Sequence, residues 1–201
     1  MGETGVRKAT AADVPLLART LGRAFHDDPA LAWANPHAGR RQRDGERYFA
    51  AVLKSSYMPK GEVYVTGDGL GVAVWAPPER WETSTRAALA LLPLMLTSCR
   101  TKLPRALKMV SLMEAEHRQR TEPHYYLPFI GTDPDGRGRG RGSALLTSML
   151  DRCDEEGRPA YLEATSIQNQ ALYRRHRFEV LEELHWPGGG PPFWPMWRSP
   201  G

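Results

Sequence analysis

The apolar positions of this chain change period several times, and each change marks an element. Val14, Leu17, Leu21, Ala24 and Phe25 recur three and four residues apart, as on one face of a helix. Thr10 stands before them as an N-cap, with Asp13 placed to complete a capping arrangement. Pro29 is expected to stop this helix near residues 26–29. A second helix is predicted over 40–57, with Tyr48, Ala51, Val52 and Ser55 on one face. Residues 62–66 and 70–76 then read as paired strands around the turn Gly67-Asp68-Gly69. Two helices follow, over 85–99 and 104–120, with Pro93 as a break or kink in the first.

The second half alternates more quickly. Residues 124–132 form an apolar strand, 133–139 a loop, and 140–156 a helix with Leu145, Leu146, Met149 and Leu150 facing inward. Gly157 ends that helix. A strand over 160–164, a short helix over 169–176 and two last strands, 178–184 and 193–198, complete the order. Neither a repeat nor a linker interrupts the sequence. Mixed strands and helices in this order predict one layered α/β domain over 1–201.

Composition narrows the function only a little. In 201 residues, 27 Lys and Arg stand against 23 Asp and Glu, a net charge of +4. That excess favours anionic partners weakly, and a local cluster of arginines at 137–141 says more. The two cysteines, Cys99 and Cys153, have no metal-ligand spacing, so no metal and no disulfide framework is expected. Cys153 falls among Met149 and Leu150 and is read as structural. The first residues have no apolar signal core, and the longest apolar run, 87–96, is about half of a membrane span. A soluble cytoplasmic protein is expected, monomer or homodimer, without a membrane or nucleic-acid partner.

The segment Pro134-Asp135-Gly136-Arg137-Gly138-Arg139-Gly140-Arg141-Gly142-Ser143 lies between a strand and a helix. Unpaired N–H groups and the positive dipole end sit at that place. Glycines let the backbone close around an anion, and the arginines add charge. Together these features form a phosphate cradle. It is not a P-loop, which requires a Lys, nor a dinucleotide turn, whose glycine spacing differs. A solvated loop and an Arg-Gly nucleic-acid segment are the other readings, but Leu145 and Leu146 argue that the turn docks on a core.

Arg137, Gly140 and Gly142 match the fixed positions of R/Q-x-x-G-x-G/A, the cofactor motif of the GNAT acetyltransferases, which this run resembles. Downstream, Asn169-Gln170-Ala171-Leu172-Tyr173 and Phe178 resemble the family's N-x-x-L-Y-x-x-x-G-F segment, with Arg177 where the family has Gly. Elsewhere, the segments 6–10, 24–25, 71–78 and 159–165 are similar in kind and order to puromycin-type N-acetyltransferases.

The resemblance implies a central, mostly antiparallel sheet of six to seven strands flanked by helices and splayed at a cofactor cleft. Residues 1–123 would then form mainly the acceptor side, and 124–201 the cofactor and catalytic half. It implies acetyl-CoA as co-substrate. Its pyrophosphate would lie on the N–H groups of Arg137, Gly138, Arg139, Gly140, Arg141, Gly142 and Ser143. Phe129, Ile130 and Gly131 would pair with the pantetheine arm, and Asn169 would contact coenzyme A or cap its helix. Tyr173 is the implied general acid. Glu163 is the candidate base, directly or through a water, with Asp27, Asp28, Glu116 and His117 as rivals. The expected activity is acetyl transfer to a primary amine of a small molecule by direct attack. A protein or peptide amine is the alternative acceptor, and non-catalytic acyl-CoA or nucleic-acid binding the alternative class. Phe25, Trp33, Trp75, Tyr125, Trp194 and Trp197 are the aromatic candidates for the acceptor side.

Overall fold

A computed structural model describes residues 5–82 and 84–201. Its strands are β1 (Val6–Lys8), β2 (Val63–Thr66), β3 (Gly71–Ala76), β4 (Tyr125–Thr132), β5 (Ala160–Ala164), β6 (Glu179–Val180), β7 (Leu184–His185) and β8 (Pro192–Arg198). The sheet runs β1-β2-β3-β4-β5-β8-β6, with β7 also paired to β8. Every described pairing is antiparallel except β4 with β5.

That exception shapes the molecule. β4 and β5 are in register only at Tyr125↔Ala160 and Tyr126↔Tyr161. Beyond those pairs β4 continues along β3 and β5 along β8, so the two strands part. The splay leaves one edge of β4 from Leu127 onward without a strand partner among the described residues.

The helices are α1 (Val14–Ala24), α2 (Pro29–Ala34), α3 (Ala38–Val52), α4 (Thr85–Cys99), α5 (Leu103–Arg118), α6 (Arg141–Glu155) and α7 (Ile167–Arg175). Thr10 N donates to Asp13 Oδ2 at 2.7 Å, so the predicted capping contact forms ahead of α1. Val14, Leu17, Ala18 and Leu21 are the buried face of α1 and pack toward β4 with Phe49 and Val52 of α3. Gly131 permits that approach, because a Cβ there would come within 2.7 Å of the Ala24 Cβ. On the opposite face of the sheet, Leu145, Leu146, Met149, Leu150 and Cys153 of α6 cover Trp75, Tyr125 and Leu127.

Two expectations need correction. Pro29 ends nothing: it is the first residue of α2, where a missing N–H costs no bond. Asp28 is the N-cap of α2, its Oδ1 accepting from Leu31 N at 3.0 Å. The strand expected over 178–184 is two short pieces, β6 and β7. Leu181 N still donates to Pro195 O at 2.9 Å, but Pro195 has no N–H to return, and the ladder stops there.

Candidate active site

The glycine-arginine turn connects β4 to α6. Asp133 opens it, accepting from Asp135 N at 3.0 Å. Arg23 of α1 then fixes the turn from outside. Its Nε donates to Asp133 Oδ2 at 2.7 Å and its Nη2 to Asp135 Oδ2 at 2.8 Å. Arg141 fixes it from beneath, donating to Asp68 Oδ2 and, at 2.7 Å, to Gly136 O. Arg137 donates to Ala24 O at 3.2 Å. The arginines are therefore not a uniformly mobile positive fringe. Arg141 is buried, and its charge is spent on Asp68, whose carboxyl the guanidinium holds well below the usual carboxylate range. Arg139 is exposed and has no side-chain partner among the described residues.

Gly138 and Gly140 both take φ of 75°, a left-handed conformation that any side chain would strain. A Cβ at either would meet nothing within 4 Å, so the space in front of them is open. Gly140 is the N-cap of α6 and has no side chain to satisfy the first turn. The N–H groups of Arg141, Gly142 and Ser143 are thus without intrahelical acceptors. An anion is the natural partner for three such donors at a dipole's positive end.

Beside this turn lies a cleft of about 440 Å³ between the parted strands. Ile130, Gly131, Arg137, Gly142, Asn169 and Tyr173 line it, as do Asp28 and Leu172. Phe129 contributes no side chain there; its ring packs edge-on to Phe25, Phe49 and Tyr57, with centroids at 6.1, 5.2 and 5.9 Å. Asp133 N donates to Leu70 O at 2.8 Å, toward β3. Alternation along the strand then turns the Phe129 and Gly131 N–H groups toward β3 and that of Ile130 toward the cleft. Of the three β4 residues singled out by sequence, Ile130 has the available donor.

Tyr173 sits on α7. Burial pushes its phenol well above the usual tyrosine range, with a smaller contribution from the charge of Asp28. Its hydroxyl has no hydrogen-bond partner among the described residues. Asn169 does not cap α7. Ser166 does so, its Oγ accepting from Asn169 N at 3.2 Å, which leaves the exposed Asn169 side chain free at the cleft. Arg177 keeps the helix end that a glycine would make. It adopts φ of 66°, and Phe178 N donates to Tyr173 O at 3.1 Å in the six-residue closure. The left-handed conformation costs an arginine about 1–2 kcal/mol there.

Glu163 lies on β5 just beyond the last residues paired with β4, at the apex of the splay. It is half-buried and does not line the open cleft. Its Oε2 accepts from Tyr126 Oη at 2.8 Å, while Oε1 is buried without a partner among the described residues. Burial pushes its carboxyl up to about 7, opposed by the hydrogen bond from Tyr126 and by the nearby Tyr161 phenol. The rival Asp28 is raised too, chiefly by burial. Both of its oxygens are engaged, however: Oδ1 with Leu31 N and Oδ2 with Thr165 Oγ1. His117 is stacked on Trp81 at 3.9 Å and pushed down to about 3 by burial, then by His124. Its Nε2 lies 2.8 Å from His124 Nε2, so the pair is a neutral element of the core.

Of the aromatic acceptor candidates, Trp75, Tyr125 and Trp194 are packed under α6 and face no cleft. Sequence reasoning also missed the residues that hold the site together. Asp68, Asp133 and Arg23 act across long separations and left no local signal. Ser166, three residues before Asn169, was a readable cap. A π-helical turn, Leu53–Tyr57, follows α3 and carries Tyr57 against Phe129. Among the described residues no group of His, Cys, Asp or Glu is placed to hold a metal ion, and no helix is long and apolar enough to cross a membrane.

The parted strands thus bring a glycine turn and a helix N-terminus to the mouth of one cleft. Residues 107–178 match the acetyltransferase (GNAT) family. An uncharacterized N-acetyltransferase of Schizosaccharomyces pombe is 24% identical over 187 residues, 89% of this chain and 76% of that one. A solved structure of histone acetyltransferase HPA2 and related acetyltransferase from Corynebacterium glutamicum superposes with a TM-score of 0.72 at 26% identity, over 98% of this chain and 96% of that one. The polyamine N-acetyltransferase of Drosophila melanogaster, which catalyses formation of N-acetylagmatine, shares the fold with a TM-score of 0.65 at 17% identity, over 97% and 99% of the chains. The match over 107–178 together with the fold shared along the whole chain supports an acetyltransferase enzyme.

Proposed function

We propose that the protein transfers the acetyl group of acetyl-CoA to a primary amine of a small molecule, by direct attack within a ternary complex on one domain. The observation that carries this reading is the cleft itself. It brings the open glycine turn, the free edge of β4 and the unpartnered Tyr173 hydroxyl to one place. The turn fits a pyrophosphate, with the N–H groups of Arg141, Gly142 and Ser143 as donors and Arg137 and Arg139 as cations. The Ile130 N–H fits the thioester oxygen, and Asn169 fits a polar contact along the coenzyme.

An aliphatic ammonium has a pKa of about 10 and must lose a proton before it attacks. Glu163 takes that proton through a water, because its Oε1 is spare while both oxygens of Asp28 are occupied. The amine nitrogen bonds to the thioester carbon, the carbon–sulfur bond breaks, Tyr173 gives the leaving sulfur its proton, and the second proton that the nitrogen sheds in becoming an amide restores the Tyr173 phenol. Two reactants held together gain from proximity without a protein nucleophile. Cys153 fits that account: it is buried on the inner face of α6, and burial pushes its thiol up to about 12. The small amine acceptor is supported by the fold shared with a polyamine acetyltransferase.

Acetyl-CoA at about a hundred times its dissociation constant is expected to stabilise the fold by about 2.7 kcal/mol. A thermal melt reads this directly. Gly140→Val, which places a β-branched residue at φ of 75° in front of the anion site, is expected to remove most of the shift. An equal shift in both proteins would take the phosphates away from this turn.

A further inference from the structure

A second cavity, of about 100 Å³, lies among α1, α2, α3, α4 and α5, apart from the cleft. Its walls include Phe25, Leu31, Phe49, Leu94 and Met95. Space of this order suits one ring or a short aliphatic body. Val110, 38% exposed, also lines it, so the cavity reaches the surface at α5.

One wall is out of character. Asp44 of α3 lines the cavity with a side chain only 9% exposed. Its Oδ1 lies 3.9 Å from Nε of Arg43, at the outer side. Its Oδ2 is buried with no partner among the described residues. Arg41 also lines the cavity, but its guanidinium is committed to Asn35 O at 2.9 Å and His26 O at 2.8 Å. A buried carboxylate oxygen without a donor is unfavourable, and in an apolar pocket it selects a cation from outside.

The cavity and the cleft share a wall. Phe25 lines both. A ligand filling the cavity therefore stands one phenyl ring from the acetyl-transfer cleft.

We propose that this cavity is the distal pocket of the acceptor, and that the acceptor is an amine whose apolar body carries a second cation. Asp44 Oδ2 holds the second cation, the apolar body fills the cavity, and the reacting amino group reaches past Phe25 toward Glu163. This rests on the acetyl-transfer reading above.

The test compares 1,4-bis(aminomethyl)benzene with benzylamine, which has the same ring and one aminomethyl group fewer. Wild-type kcat/KM is expected to favour the diamine at least about tenfold, the discrimination one charge-assisted contact of about 1.4 kcal/mol supplies. Asp44→Asn is expected to erase most of that ratio. Ala106→Leu, which fills the cavity from α5 without touching the carboxylate, is expected to weaken both amines. No diamine preference in the wild type, or an undiminished one in Asp44→Asn, overturns the proposal. Calorimetry of the diamine on the coenzyme A-bound protein gives a readout free of turnover. Binding weakened about tenfold by Asp44→Asn, or lost in Ala106→Leu should the first variant not fold, supports the pocket. Equal binding in wild type and variant, or none to wild type, overturns it. Absence of turnover with intact, Asp44-dependent binding would instead count against acetyl transfer.

Discussion

Tyr173→Phe is expected to bind acetyl-CoA as the wild type does and to lose about a hundredfold to ten-thousandfold in kcat. The substitution removes one oxygen and keeps the ring that packs against Phe178 at 6.1 Å. That hydroxyl has no partner within the described chain, so no internal hydrogen bond is lost with it. Burial keeps the phenol protonated across the neutral range. It can therefore meet the charge that develops on sulfur with a hydrogen bond and then a proton. An interaction made only as the carbon–sulfur bond breaks lowers kcat and kcat/KM together and leaves ground-state binding alone. Steady-state kinetics with a calorimetric measure of acetyl-CoA affinity separates the two effects. Unchanged turnover would remove Tyr173 from the chemistry, and a parallel loss of affinity would make it a packing residue.

Glu163→Gln is expected to flatten the pH profile as well as slow the enzyme. A base works in its ionised form, so with a carboxyl pushed up to about 7, kcat/KM should rise as pH passes upward through that value. A further rise follows toward about 10 as the free amine population grows. The glutamine variant should lose the limb near 7 and keep the one governed by the amine, with a rate deficit of about a hundredfold at pH 8. Persistence of the lower limb in Glu163→Gln would assign it to another group. The same limb vanishing in Asp28→Asn would move the base to α2. Asp28→Asn should act mainly on stability, since Asp28 caps α2 and binds Thr165 just after β5.

Much of this arrangement was legible because its signals are local. The spacing of Val14, Leu17 and Leu21 found α1, and the glycines of 136–142 marked an anion-cradling turn before a helix. Asn169 and Tyr173, four residues apart, were readable as one face of α7, and both line the cleft. What stayed hidden depends on contacts far apart in sequence. Asp68 and Arg141, 73 residues apart, decide that one arginine of the motif is structural. Arg23 and Asp133, 110 residues apart, hold the turn against α1. Pro29 was misread for a different reason: a proline after an aspartate ends one helix and begins another with equal ease. Gly131 carried no local signal at all, since its role is the absence of a Cβ facing Ala24. The acceptor side was least legible because its cavity is assembled from five helices, and the unpaired oxygen of Asp44 exists only once they are packed.

The most direct test of acetyl transfer is to mix the purified protein with acetyl-CoA and a panel of primary amines, following free thiol and acetylated amine together. Amine-dependent thiol release matched one-to-one by N-acetylated product, with no acetyl group retained on the protein, is the predicted result. Thiol release no faster than in the amine-free control, under conditions where acetyl-CoA is bound, would contradict the account.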